Sequence, residues 1–146
     1  MSFFGSLDTS ASGLTAQQLR LDIISQNIAN ASTTRTENGG AYKKKSVIFE
    51  QIQNDASSFS SILSAKRQNG NNGVRVSKIV EDESQGEMVY DPTNPDANEQ
   101  GYVEMSNVNI IDEMVNMISA SRSYEANINS FNATKSMFTK ALEIGK

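Results

Sequence analysis

The chain contains neither cysteine nor histidine among its 146 residues. Lack of cysteine excludes disulfides, thiolate metal sites and cysteine nucleophiles together. Lack of histidine removes the Ser-His-Asp triad and the commonest zinc sites. Carboxylate pairs, Ser/Lys pairs and tyrosine are what remains for chemistry, and none is well placed. Ser121, Ser123 and Lys135 are too far apart for a Ser–Lys pair. Asp112 and Glu113 are neighbours on a predicted helix and point apart. The composition points away from an enzyme, with no cofactor and no metal expected. No apolar run approaches the ~18 residues of a membrane span. The N-terminal Met1–Asp8 lacks the basic and apolar regions of a signal peptide, so any export is expected to use another route. With 37% apolar residues and a mean hydropathy of -0.46, the chain suits a soluble medium domain, or a small one with helical extensions.

Charge is unevenly spread. Residues 1–80 carry a balance of +4 and residues 81–146 one of -8, within a net charge of -4. Ten acids lie between Glu81 and Glu113 with no basic residue among them. A basic part and an acidic part suit head-to-tail association with copies or relatives, or else an acidic solvated loop.

Both prolines, Pro92 and Pro95, sit mid-chain, and the stretch from Ser106 to Lys146 has none. Ile110, Met117, Tyr124, Phe131 and Phe138 repeat every seven positions there, with Met114, Ser121, Ile128, Lys135 and Leu142 as a second row. This is the period of a helix packing lengthwise on another helix, roughly 50 Å long at 1.5 Å per residue. A first helix is predicted over 7–31. Leu7, Leu14, Leu21 and Ile28 fall at heptad spacing, Ala11, Ile24 and Ala31 widen the face, and Asp8, Thr9 and Ser10 are N-cap candidates. Gly13 reads as a weak point costing about 1 kcal/mol relative to alanine. Four asparagines in the last helix, Asn116, Asn127, Asn129 and Asn132, lower its intrinsic propensity further. The terminal helices are therefore expected to be marginal alone and to fold on assembly, pairing as an antiparallel coiled coil.

Between them the sequence reads as a small β-rich module. Gly39-Gly40 marks a turn, and Tyr42–Ile52 reads as a strand with a basic start, its lysines blocking unwanted sheet pairing. Residues 54–64 are serine-rich, a mobile loop or short helix, and Asn69–Gly73 is a hairpin-type turn. Gly73–Asp82, Glu87–Tyr90 and Tyr102–Met105 read as further strands. Asp91–Glu99 is rich in oxygen ligands but lacks the glycine of a calcium loop. It reads as a rigid double turn capped by Asp91 and Asn94. The fold class is α+β, in three segments: helix 1–33, β-rich module 34–106, helix 107–146.

Three stretches resemble the flagellar axial proteins of rod and hook. Ser25-Gln-Asn-Ile-Ala-Asn-Ala-Ser-Thr33 is similar to the signature closing their N-terminal helix, and Asn107–Asn127 to their C-terminal helix signature. Tyr90–Val103 is similar to the segment preceding that helix in the proximal-rod group. Thr33, Thr34 and Ser106 stand where family members often have proline, which affects loop geometry.

The resemblance implies a structural subunit of the basal-body rod, a hollow, torque-transmitting shaft around an export channel, exported by the flagellar type III apparatus. It implies as partners other proximal rod proteins, the distal rod protein, the small MS-ring–rod junction protein of the FliE type, the export gate and copies of itself. Nucleic acid and direct membrane insertion are not expected. The candidate assembly interface comprises Leu7, Leu14, Leu21, Ile24, Asn27, Ile28, Asn30, Ile110, Met114, Met117, Ile118, Tyr124, Ile128, Phe131, Phe138 and Leu142. Two other classes compete. A helical effector or translocator of a virulence type III system would lack the Tyr90–Val103 segment, and a cell-wall hydrolase would need a carboxylate pair in a cleft.

Overall fold

The computed structural model describes residues 3–37, 39–52 and 73–144. In chain order its elements are helix α1 (Phe3–Ala29), strands β1 (Lys45–Gln51), β2 (Val74–Glu81), β3 (Met88–Tyr90) and β4 (Tyr102–Glu104), and helix α2 (Ile110–Ile144). The architecture is α+β as expected, with the helices at the two ends and two small two-stranded sheets, β1–β2 and β3–β4, between them. The serine-rich 54–64 stretch and residues 69–72 of the expected hairpin turn lie outside the described residues.

The helix boundaries differ from the expected ones for reasons of hydrogen bonding. α1 starts before Asp8, Thr9 and Ser10, so these do not cap it. The Thr9 hydroxyl instead donates to the Gly5 carbonyl at 2.9 Å, and Thr15 and Ser25 do the same to Ala11 and Leu21. Such back-bonding satisfies a hydroxyl inside a helix. α2 starts after Ser106, at Ile110, because Asn109 supplies the cap: its Oδ1 accepts the Ile111 N–H at 3.0 Å, and its carbonyl accepts the Glu113 N–H at 3.0 Å. Asp112 and Glu113 then fall in the first turn, where the helix dipole favours acids.

The described chain divides into two compact units, one of Met1–Leu19, Phe49–Ser77 and Ser121–Lys146, the other of Arg20–Ile48 and Lys78–Ala120. In the first unit Gly13 is buried against α2. A Cβ there would stand 3.1 Å from both Oδ1 and Nδ2 of Asn127. Gly13 is thus a point of close approach between helices, where the sequence suggested only a weak spot. Ala16, 3% exposed, continues the small-residue surface. The Val74 N–H donates to Ser12 Oγ at 3.1 Å, which ties β2 to α1.

The second unit holds β3–β4, in the register Met88↔Glu104, Val89↔Val103 and Tyr90↔Tyr102, with Val103 buried beneath. The Tyr90 and Tyr102 rings meet edge to face, 5.3 Å apart. Gly101 lies under Tyr90 with φ 81°, a backbone that suits glycine. The Asp91–Glu99 segment is the expected double turn. Asp91 Oδ1 accepts from the backbone and hydroxyl of Thr93, and Asn94 Oδ1 accepts the Asp96 N–H.

Gly13 meets Asn127 in the first unit, and Asn27 meets Glu113 in the second. The innermost positions differ from the expected ones. On α2 the deepest positions are Glu113 and Ala120, with Asn127 one heptad further on. Met117, Tyr124 and Phe131 flank that line half-buried, while Ile110, Met114, Phe138 and Leu142 are exposed. The buried face is rotated by roughly 60° from the Ile110–Met117 row, a three-residue step falling that far short of a full turn on an α-helix. Small and hydrogen-bonded side chains permit the closest approach, and the larger apolar groups fill the sides.

A Cβ on Gly86 would overlap the Met105 carbonyl oxygen, beside the bond from the Met105 N–H to the Glu87 carbonyl. Gly86→Ala should therefore destabilise the chain by about 1–3 kcal/mol, read as a lower urea midpoint.

Candidate assembly surface

Asn27 sits in the last turn of α1 and is 0% exposed. Its Nδ2 donates to the Lys45 carbonyl at 2.8 Å and to Glu113 Oε2 at 2.9 Å. Its Oδ1 accepts the Lys45 N–H at 2.9 Å and the Tyr42 hydroxyl at 3.1 Å. A side-chain amide has two donors and two acceptor sites, and all four are engaged. One residue of α1 thereby holds the start of β1, the Tyr42 phenol and α2.

Glu113, 1% exposed, completes this lock. Its Oε1 receives Lys44 Nζ at 2.9 Å and Asn116 Nδ2 at 3.1 Å. Burial pushes its carboxyl pKa up, but hydrogen bonds from Asn27, Lys44 and Asn116 outweigh that and hold it below the usual value. The Tyr42 phenol is pushed up by burial, with the Glu81 and Glu113 charges adding to it. Lys44, expected to guard a strand edge, is drawn inward by the acid, and Lys45 pairs with Glu81 at 3.5 Å.

Asn107 makes a second clamp. Its Oδ1 accepts the Lys44 N–H at 2.7 Å, and its Nδ2 donates to the Asp82 and Ser84 carbonyls at 3.0 and 3.1 Å. Asn107, Asn109, Glu113 and Asn116 all lie in the C-terminal stretch, and Asn27 lies in the N-terminal one. Their roles as clamp, cap and lock were not read from sequence. Asparagine carries no periodic signal, and Glu113 looked like one more surface acid.

With the polar groups turned inward, α2 presents apolar groups outward. Ile110, Ile111, Met114, Val115 and Ile118 are 46–69% exposed along one face of its first turns. Further along, Phe138 and Leu142 are also exposed. Of the other candidate interface residues, Leu7, Leu14, Leu21, Ile28, Asn30, Met117, Tyr124, Ile128 and Phe131 are half-buried, while Ile24 and Asn27 are buried within the subunit. Ile111 and Val115 share the exposed face but fall outside the heptad rows from which the interface was expected. Among the described residues no helix is long and apolar enough to cross a membrane, and no cluster of acids is placed to hold a metal.

Two family models match the chain. Residues 7–35 match the flagella basal body rod protein, and residues 99–144 match the C-terminal part of the flagellar basal body rod FlgEFG proteins. These are rod proteins of the bacterial flagellum. Similar over full length are the flagellar basal-body rod proteins FlgC of Bacillus subtilis, 52% identical with 100% of both chains covered, and of Salmonella typhimurium, 37% identical, again 100% of both. That of Borreliella burgdorferi is 46% identical over 99% of this chain and 98% of its own. The chain belongs to the FlgC family of flagellar basal-body rod proteins. It is a structural subunit of that rod and not an enzyme.

The lock contributes to the acid dependence of stability. An unfolded Glu has a pKa of about 4.3, and the folded value of Glu113 is lower, so the unfolded state takes up its proton first as pH falls. The stabilisation is complete above about pH 4.3 and is lost as pH falls through the folded value. Glu113→Gln should cost about 1–2 kcal/mol at neutral pH and flatten the acid limb in urea melts taken across pH.

Proposed function

We propose that the terminal helices are the assembly part of this rod subunit, with the exposed apolar face of α2 at its centre. Under this reading residues 1–33 and 107–146 are the two halves of a coiled-coil part that packs into the shaft, and residues 34–106 form the β-rich module between them. Neighbours are copies of the chain, other proximal rod proteins, the distal rod protein, the FliE-type junction protein at the MS ring and the export gate. The assembled shaft transmits torque and encloses the export channel. Subunits reach it through the flagellar type III apparatus.

One observation carries the reading: five large apolar side chains lie side by side on the solvent face of a helix whose other face is already packed. A contiguous apolar patch of that kind marks an interaction site, and in a rod subunit the interaction is with neighbours. The candidate interface residues that lie within the subunit, Ile24 and Asn27, act by holding the presenting helix in place.

Ile118→Asp separates assembly from folding, because Ile118 is 60% exposed. The variant should match the parent in urea midpoint within about 0.5 kcal/mol and leave cells that synthesise it non-motile. Normal swimming would refute the assembly role.

A further inference from the structure

We propose that the free edge of β3 takes up an extended segment of a different protein, one bearing lysine or arginine among apolar residues, which adds a strand to the β3–β4 sheet. The contact lies on the β-rich module and does not use the α2 face. It rests on the assembly reading only in placing that partner within the rod.

Ladder geometry exposes the edge. The Asp91 N–H donates to the Gly101 carbonyl at 2.9 Å, and the Met105 N–H to the Glu87 carbonyl at 2.8 Å. In an antiparallel pair, residues that exchange bonds alternate with residues whose N–H and C=O face away. Glu87, Val89 and Asp91 therefore face β4, and the backbone groups of Met88 and Tyr90 point outward. The other three strands have outward groups taken up by side chains. Asn27 holds both the N–H and the carbonyl of Lys45 at the start of β1. Ser12 Oγ accepts the Val74 N–H of β2. Asn98 accepts the Tyr102 N–H of β4 and donates to its carbonyl, at 2.9 Å each. Among the described residues nothing bonds the outward groups of Met88 and Tyr90. β3 also lacks the lysine, proline or bulge by which edges are commonly protected.

The side chains suit a strand that is apolar and basic. Met88, Val89 and Tyr90 are 53%, 41% and 63% exposed, and Val89 lies beside the buried Val103. Glu87 precedes Met88 and Glu104 stands opposite it, and neither has an ion pair among the described residues. No basic residue occurs between Glu81 and Glu113 to offset them. A second copy fits poorly. Its open edge among the described strands is β3 itself, and β3 on β3 would bring Glu87 and Asp91 of the two copies together, where like charges repel.

Photo-cross-linking in the assembled rod tests this. Cells would carry full-length chain with p-benzoylphenylalanine at position 88 or 90, and isolated basal bodies would be irradiated, digested and read by mass spectrometry. The expected cross-link joins a peptide of another basal-body protein with lysine or arginine among apolar residues. It should be lost when Glu87→Lys and Glu104→Lys are added. From position 90 it should also be lost in Met88→Pro, which removes an outward N–H and no ladder bond. Attachment to a second copy, or to residues 53–72 of the same chain, overturns the proposal. So does persistence in either variant, or lack of a cross-link from both positions. A cross-link to a neighbour from position 118 in parallel basal bodies leaves the assembly reading standing when the β3 proposal falls.

Discussion

The fold depends on one saturated amide. Asn27 is fully enclosed, and its four hydrogen bonds reach the backbone of Lys45, the Tyr42 hydroxyl and the Glu113 carboxylate. A buried polar group left without partners costs about 1–3 kcal/mol, so the arrangement stabilises only when every member is present. That gives it a specificity that apolar packing lacks. A leucine pair at this position would tolerate sliding and rotation, whereas the amide admits one placement of α1, β1 and α2. The acid at its centre is held charged by three donors, and the lysine that neutralises it, Lys44, directly precedes β1.

An inward polar lock leaves the outer surface for other uses. On α2 the two faces divide the work. One carries Glu113 and Ala120, which fit closely within the subunit, and the other carries isoleucine, methionine and valine toward solvent. Large apolar residues on a helix usually mark the core. On α2 the deepest positions are instead glutamate and alanine, and bulk is displaced to the flanks and the exterior. Apolar area on α2 thus stays available after the subunit has folded.

Periodicity and turn chemistry were legible. Two long helices, strands near 45–51, 74–81, 88–90 and 102–104, the Gly39-Gly40 turn and the Asp91–Glu99 double turn all follow from residue spacing and from side chains that bond their own backbone. The face of each helix was not. A heptad pattern identifies the side rich in apolar residues, and it does not say whether that side meets the same subunit or another. Gly13 and Asn127 were each read as propensity losses, because propensity treats a residue alone, while their function is mutual: one has no Cβ where the other fills space. Glu113 was hidden by Asp112, since two adjacent acids look alike until Asn109 fixes where the helix begins and so which of them turns inward.

The lock joins residues separated by 86 positions. A chain made from its N-terminus completes α1 and the start of β1 well before Glu113 emerges, and until then Asn27 and Lys44 lack the acid that both require. Contacts of such high sequence separation form late. The lock is therefore incomplete in a chain that ends before the last helix. The same helix carries the outward apolar face, so the segment that completes the lock is also the one that presents exposed isoleucine, methionine and valine side chains.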